Sequence, residues 1–155
     1  MDINNTGNLP EQFLWRDDVG LTTKSLGEAA GSQKIYVNID YVPPKAYSTK
    51  YHSHSQQEEF FMILSGTGTL RINDEEKVVS QGDFIAKPAG KNIAHTFYNS
   101  GDEILAILDV GTNESEDTCY YPDEDMYMQK SNGIRRIFKG TDLSASWMPE
   151  PNPKE

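Results

Sequence analysis

The sequence predicts an all-β domain, an antiparallel sandwich or barrel, on three observations. From Lys34 onward, short runs rich in β-branched and aromatic residues follow one another closely. Gly, Pro, Asn or Asp separates almost every pair of runs. The 3.6-residue apolar period of an amphipathic helix is nearly absent. In order, the expected strands are "KIYVNIDYV", "EFFMIL", "TLRI", "KVV", "FIAKP", "IAHTFYN", "ILAILDV" and "IRRIF", with turns at "PPKAYST", "SGTG", "NDEE", "SQGD", "AGKN", "SGDE" and "GTNES". Between "GTNES" and "IRRIF" an acidic loop is expected. Gly66, Gly68 and Gly82 suit tight connections, and "PAG" at 88–90 suits a turn that returns the chain to the sheet.

The 155 residues suffice for one domain with a sizeable core and are too few for two ordinary ones. Residues 1–33, rich in Asn, Gly, Asp and Thr with scattered Leu9, Phe13, Leu14, Trp15, Leu21 and Leu26, read as an irregular N-terminal arm that packs on the barrel. Residues 34–140 form the barrel, and 141–155 a polar C-terminal tail. Phe60–Leu64 and Ile104–Leu108 are apolar on both faces, so one face should line the interior and the other meet the arm or a second subunit.

The formal net charge is −10, and no Lys or Arg occurs between Asn92 and Gln129, a stretch carrying Asp102, Glu103, Asp109, Glu114, Glu116, Asp117, Asp123, Glu124 and Asp125. Such a surface repels phosphate backbones and anionic lipid, which argues against nucleic-acid and membrane partners. No apolar run reaches the ~20 residues of a membrane span, and "MDINNTGNLP" lacks the pattern of an export signal. The single cysteine, Cys119, forms no internal disulfide and reads as a small buried side chain, in keeping with a reducing, cytoplasmic location.

The stretch "HSHSQQEEFFMILSG" at 52–66 sets four titratable side chains against a buried strand. His52 and His54 are two apart, so in extended backbone both imidazoles face one point. Glu58 or Glu59 could add a carboxylate, and parity alone does not choose between them, because "SQQ" bends the chain. His95 follows in "NIAHTFYN", sharing a face with Phe97 and Asn99. All three histidines of the chain lie in these two segments. Imidazoles with a carboxylate oxygen suit a divalent transition metal. Without a cation, burying these groups would be costly.

These segments resemble the two motifs of the cupins, G-x5-H-x-H-x3-4-E-x6-G and G-x5-P-x-G-x2-H-x3-N. The first is matched by His52, His54, Glu59 and Gly66, a spacing that favours Glu59 over Glu58; the second by Gly82, Pro88, Gly90, His95 and Asn99. Ala46 stands where the first motif begins with glycine, and four residues rather than two separate Gly90 from His95. The resemblance implies a double-stranded β-helix, or jelly-roll, barrel. It implies one divalent transition metal per chain, held by His52, His54, Glu59 and His95, with manganese, iron, zinc and nickel all compatible. Phe61, Ile63, Phe97 and Asn99 would form the cavity wall. It further implies a homodimer and a small-molecule ligand or substrate, with three activities open: a sugar or sugar-phosphate isomerase or epimerase, an iron-dependent dioxygenase, and a non-catalytic binding or sensing module. A sugar phosphate would call for a cation at the cavity, with Lys50, Arg71 and Lys87 as the nearby basic residues. Glu58 and Tyr98 are the only evident general bases beyond the ligands.

Overall fold

The computed structural model describes residues 2–143. Thirteen strands run through it: β1 (Gln12–Arg16), β2 (Val19–Ser25), β3 (Ile35–Val42), β4 (Ser53–His54), β5 (Glu59–Ser65), β6 (Thr67–Ile72), β7 (Glu75–Ser80), β8 (Phe84–Lys87), β9 (His95–Tyr98), β10 (Leu105–Thr112), β11 (Asp117–Tyr121), β12 (Met126–Ser131) and β13 (Ile134–Lys139). One short helix, α1 (Leu26–Ala30), lies between β2 and β3 and ends on Gly31 in the left-handed region.

One layer is a six-stranded sheet in the order β1-β2-β3-β10-β5-β8. The other is built from β7-β6-β9 and β13-β12-β11-β4. Bridges from Tyr47 to Tyr98 and from His52 to His95 run the segment 47–52 beside β9 and join these two sheets edge to edge. All the strand pairings are antiparallel. The fold is the expected all-β barrel.

Alternation along the strands fills the interior. Phe61, Ile63, Leu70, Val79, Phe97, Leu105, Ile107, Val42 and Leu21 form the apolar core. The turn from β5 to β6 crosses between layers at Gly66, where φ is 83° and a Cβ would stand 2.5 Å from the Ile104 carbonyl oxygen. No side chain fits there.

The arm is more regular than its composition suggests. β1 and β2 form a hairpin that extends the six-stranded sheet through β3, with Thr22 opposite Tyr41 and Ser25 opposite Asn38. It therefore lengthens an edge instead of covering a face. The outer side of β5 and β8 remains open, with Phe60 stacked on Phe84 at 6.0 Å between ring centroids. The acidic segment after Glu114 likewise contains two strands, β11 and β12, paired from Asp117–Lys130 to Tyr121–Met126. Their polar alternation hides a strand whose inward residues, Asp117 and Cys119, serve the site. Of the polar tail, residues 144–155 lie outside the described residues.

Candidate metal centre

β4 and the bridge residue before it carry His52 and His54, and β5 opens with Glu59 facing inward. Their ligand atoms converge: Nε2 of His52 lies 3.0 Å from Nε2 of His54, which lies 3.5 Å from Oε1 of Glu59. Among the described residues these three form a group whose ligand atoms all lie within 4.8 Å of one another. Glu58, on the opposite parity, is exposed. The third histidine, His95, lines the same cavity of about 160 Å³. Its ring centroid is 5.1 Å from that of His52, and its Nδ1 lies 2.8 Å from Nζ of Lys87.

Of Lys50, Arg71 and Lys87, the basic residues that the sequence leaves unplaced, Lys87 is the one that reaches the ligand group. It sits opposite Glu59 in the β5–β8 register, 1% exposed, with Nζ 2.5 Å from Oε2 of Glu59. The available signal was parity: Lys87 alternates with exposed Ala86 and Phe84, on the side of Ile85. Burial opposes the charge on both partners and lowers Lys87, while the Lys87 ammonium beside it holds Glu59 below the ordinary carboxylate range. Of the other basic candidates, Lys50 stands at the cavity mouth and pairs with Glu124. Arg71 faces outward, bound to Asp123 and Asp74.

Residues far along the chain orient the histidines. Nδ1 of His54 lies 2.6 Å from Oδ2 of Asp117, on β11, and Cys119 Sγ lies 3.3 Å from the same nitrogen. The other Asp117 oxygen accepts from the Ser55 and Gln56 backbone N–H groups. These bonds keep its carboxyl well below the usual range although burial opposes them. Burial, with Asp117 beside it, pushes the Cys119 thiol up to about 12, so it remains a neutral packing group. Nδ1 of His52 lies 2.7 Å from the Lys50 carbonyl oxygen.

Both imidazoles thus donate Nδ1–H backward and present bare Nε2 lone pairs to each other. Two such acceptors 3.0 Å apart need a metal ion or a shared proton between them. Burial lowers His52 to about 4, which disfavours a proton there at neutral pH. The donor set therefore fits a divalent metal ion, with Glu59 supplying the oxygen.

The wall contains more acid than was anticipated. Asp40 on β3 and Asp109 on β10 both line the cavity. The Tyr36 hydroxyl lies between Glu59 Oε1 at 3.1 Å and Asp109 Oδ1 at 3.0 Å. Burial, with Asp40 and Glu59 close by, pushes Asp109 well above the usual range, so Asp109 holds a proton more readily than Glu59. Phe61 and Phe97 line the cavity, whereas Ile63 packs in the apolar core beneath it. Asn99 is fully buried and spent on backbone: Nδ2 donates to the Val42 and Glu103 carbonyls, and Oδ1 accepts from the Gly101 N–H. Tyr98 lines a groove on the outside.

Beyond the cavity a wider mouth of about 690 Å³ opens between Phe13, Leu14, Trp15, Arg16, Lys50 and Tyr121. Asp40, Ser48, Thr49 and His52 border both spaces.

Fold and site together define a class: small β barrels with a histidine–carboxylate cavity that can hold a metal. Residues 39–111 match the family model described as a cupin domain, and the protein has the all-β cupin barrel fold. In three dimensions it is similar to a candidate sugar phosphate isomerase from Acidithiobacillus ferrooxidans, with TM-score 0.86 and 26% identity over 92% of each chain. It is also similar to a sugar phosphate isomerase of the cupin superfamily from Silicibacter pomeroyi, with TM-score 0.83 and 26% identity over 93% of this chain and 98% of that one. A polyketide cyclase from Streptomyces resistomycificus shares the fold, with TM-score 0.63 and 20% identity over 74% of this chain and 80% of that one. No curated protein matches the chain.

Proposed function

We propose that this cupin is a metal-dependent isomerase of a small sugar, most fittingly a sugar phosphate. The observation that carries the reading is the convergence of His52, His54 and Glu59 in a cavity whose mouth carries Arg16 and Lys50. A cation at the cavity is what an anionic sugar requires. Support comes from the two structural relatives named for that activity, each similar over more than nine-tenths of this chain.

A divalent ion held by His52, His54 and Glu59 would polarise a sugar carbonyl and stabilise the charge that builds on its oxygen. Asp40, at the boundary between mouth and cavity, supplies the base. Burial raises its carboxyl above the ordinary range, nearer the working pH that proton transfer favours. It takes the proton from the carbon next to the carbonyl and returns it to the former carbonyl carbon, while one hydroxyl proton passes between the neighbouring oxygens. No redox partner is needed. Oγ1 of Thr49 is buried at this boundary without a partner among the described residues, and a sugar hydroxyl would satisfy it. Arg16 and Lys50 at the mouth suit a phosphate.

The test is incubation of the purified protein with a panel of aldose and ketose phosphates in D2O, followed by NMR, with elemental analysis of bound metal. Metal-dependent interconversion with deuterium at the carbon beside the carbonyl is expected, and loss of both metal and turnover in His52→Ala. A metal-loaded protein that exchanges no deuterium on any member of the panel refutes the reading.

A further inference from the structure

The three histidines present the same ring nitrogen to opposite kinds of neighbour. In His52 and His54, Nδ1 faces an oxygen that can only accept: the Lys50 carbonyl and the ionised Asp117 carboxylate. In His95, Nδ1 faces the Lys87 amino group at 2.8 Å. Nζ also lies 2.5 Å from a Glu59 oxygen in a pocket where Lys87 is 1% exposed and Glu59 is 5% exposed. A neutral amine there would leave the buried carboxylate uncompensated. Lys87 is therefore the donor and Nδ1 of His95 the acceptor.

A neutral imidazole that accepts at Nδ1 carries its proton at Nε2. An N–H nitrogen has no lone pair for a metal. His95 also lies outside the group whose ligand atoms come within 4.8 Å of one another, although it lines the same cavity. The Phe61 and Phe97 rings pack against it, with centroids at 4.7 and 5.9 Å, and limit its reorientation.

We infer that His95 is a hydrogen-bond donor to an oxygen of the bound ligand rather than a metal ligand, that Lys87 is the positioning residue that sets this tautomer, and that His52, His54 and Glu59 carry the ion alone. The inference rests on the metal reading proposed above. Two imidazoles and one carboxylate leave further coordination positions for water or for ligand oxygens. The Nε2–H of His95 would meet a carbonyl, enediolate or carboxylate oxygen held at those positions, a donor placed where negative charge develops. The matching ligand therefore carries two neighbouring oxygens, one for the ion and one for His95.

The experiment is long-range 1H–15N NMR of the histidine rings in the full-length protein, metal-free and loaded with zinc as a diamagnetic probe. With only three histidines in the chain, a His95→Gln sample assigns the spectrum. Expected are Nδ1–H forms for His52 and His54 and an Nε2–H form for His95 in both states. Zinc affinity should fall by no more than about 10–100-fold in His95→Gln, the range an outer hydrogen bond accounts for, and should be lost in His52→Ala. Lys87→Met should shift His95 toward the Nδ1–H form. A His95 Nε2 that loses its proton and moves to a zinc-coordinated shift, or a His95→Gln protein as zinc-free as His52→Ala, overturns this inference and leaves the metal reading standing. Wild-type protein that binds no zinc overturns both.

Discussion

Replacing Lys87 by methionine probes how the site manages its charge. Lys87 is 1% exposed and Glu59 5%, with 2.5 Å between Nζ and Oε2. Removing one partner of a buried pair strands the other charge, at a cost of about 3–5 kcal/mol. In a domain of this size each kcal/mol moves the melting temperature by about 2–4 °C, so the chelator-treated variant should melt roughly 6–20 °C below wild type. A divalent ion restores a counter-charge to Glu59, so saturating zinc should narrow the gap. A Lys87→Met/Glu59→Leu double variant should recover most of the stability when metal-free, because an apolar replacement of similar volume avoids the desolvation that the pair suffers. Urea and thermal unfolding followed by circular dichroism, with and without chelator, give the full double-mutant cycle. If Lys87→Met unfolds within about 0.5 kcal/mol of wild type, or the double variant loses the sum of the two single losses, the buried ion pair is not the stabilising element argued here.

Asp117→Asn keeps the shape of the side chain that orients His54 but removes its charge; zinc affinity measured by competition should fall about 10–100-fold with the circular dichroism spectrum unchanged. The metal-free protein should lose stability between pH 7 and pH 5. Burial holds His52 at about 4 and His95 well below its usual value, whereas in the unfolded chain both titrate normally. The unfolded state therefore binds more protons below about pH 6.5, which costs up to about 1.4 kcal/mol per pH unit for each histidine. His52→Gln should remove one share of that slope in urea denaturation, and an unchanged slope would contradict the burial argument. Asn99→Ala strands two backbone carbonyls and one N–H in a fully buried turn; it should cost about 2–4 kcal/mol in urea unfolding and leave zinc stoichiometry unchanged.

How far the site could be read in advance depended on sequence distance. His52 and His54 converge because strand geometry repeats every two residues, and Glu59 follows from the motif spacing. Asp40 and Asp109 were also legible in principle: each shares parity with inward apolar neighbours, Val42 and Ile107, but a buried carboxylate is the less common reading of an acid in a strand. Asp117 was not legible. It lies 63 positions from the histidine it holds, in a segment whose acidity reads as a solvated loop. The arm misled for a related reason, since β1 and β2 are specified by pairing with each other and, through β2, with β3, and not by an apolar alternation of their own.

The sequence by itself determined the alternation of strands and turns, the all-β class and the convergence of two imidazoles on one point, because each follows from backbone geometry over a few residues. Only the tertiary structure decided which side chains stand behind those imidazoles. The registers that set Lys87 opposite Glu59 and Cys119 opposite His54 join strands remote in sequence. They are chosen by burial of the whole core. The protonation pattern of the centre depends on those neighbours, and no local pattern of residues encodes it.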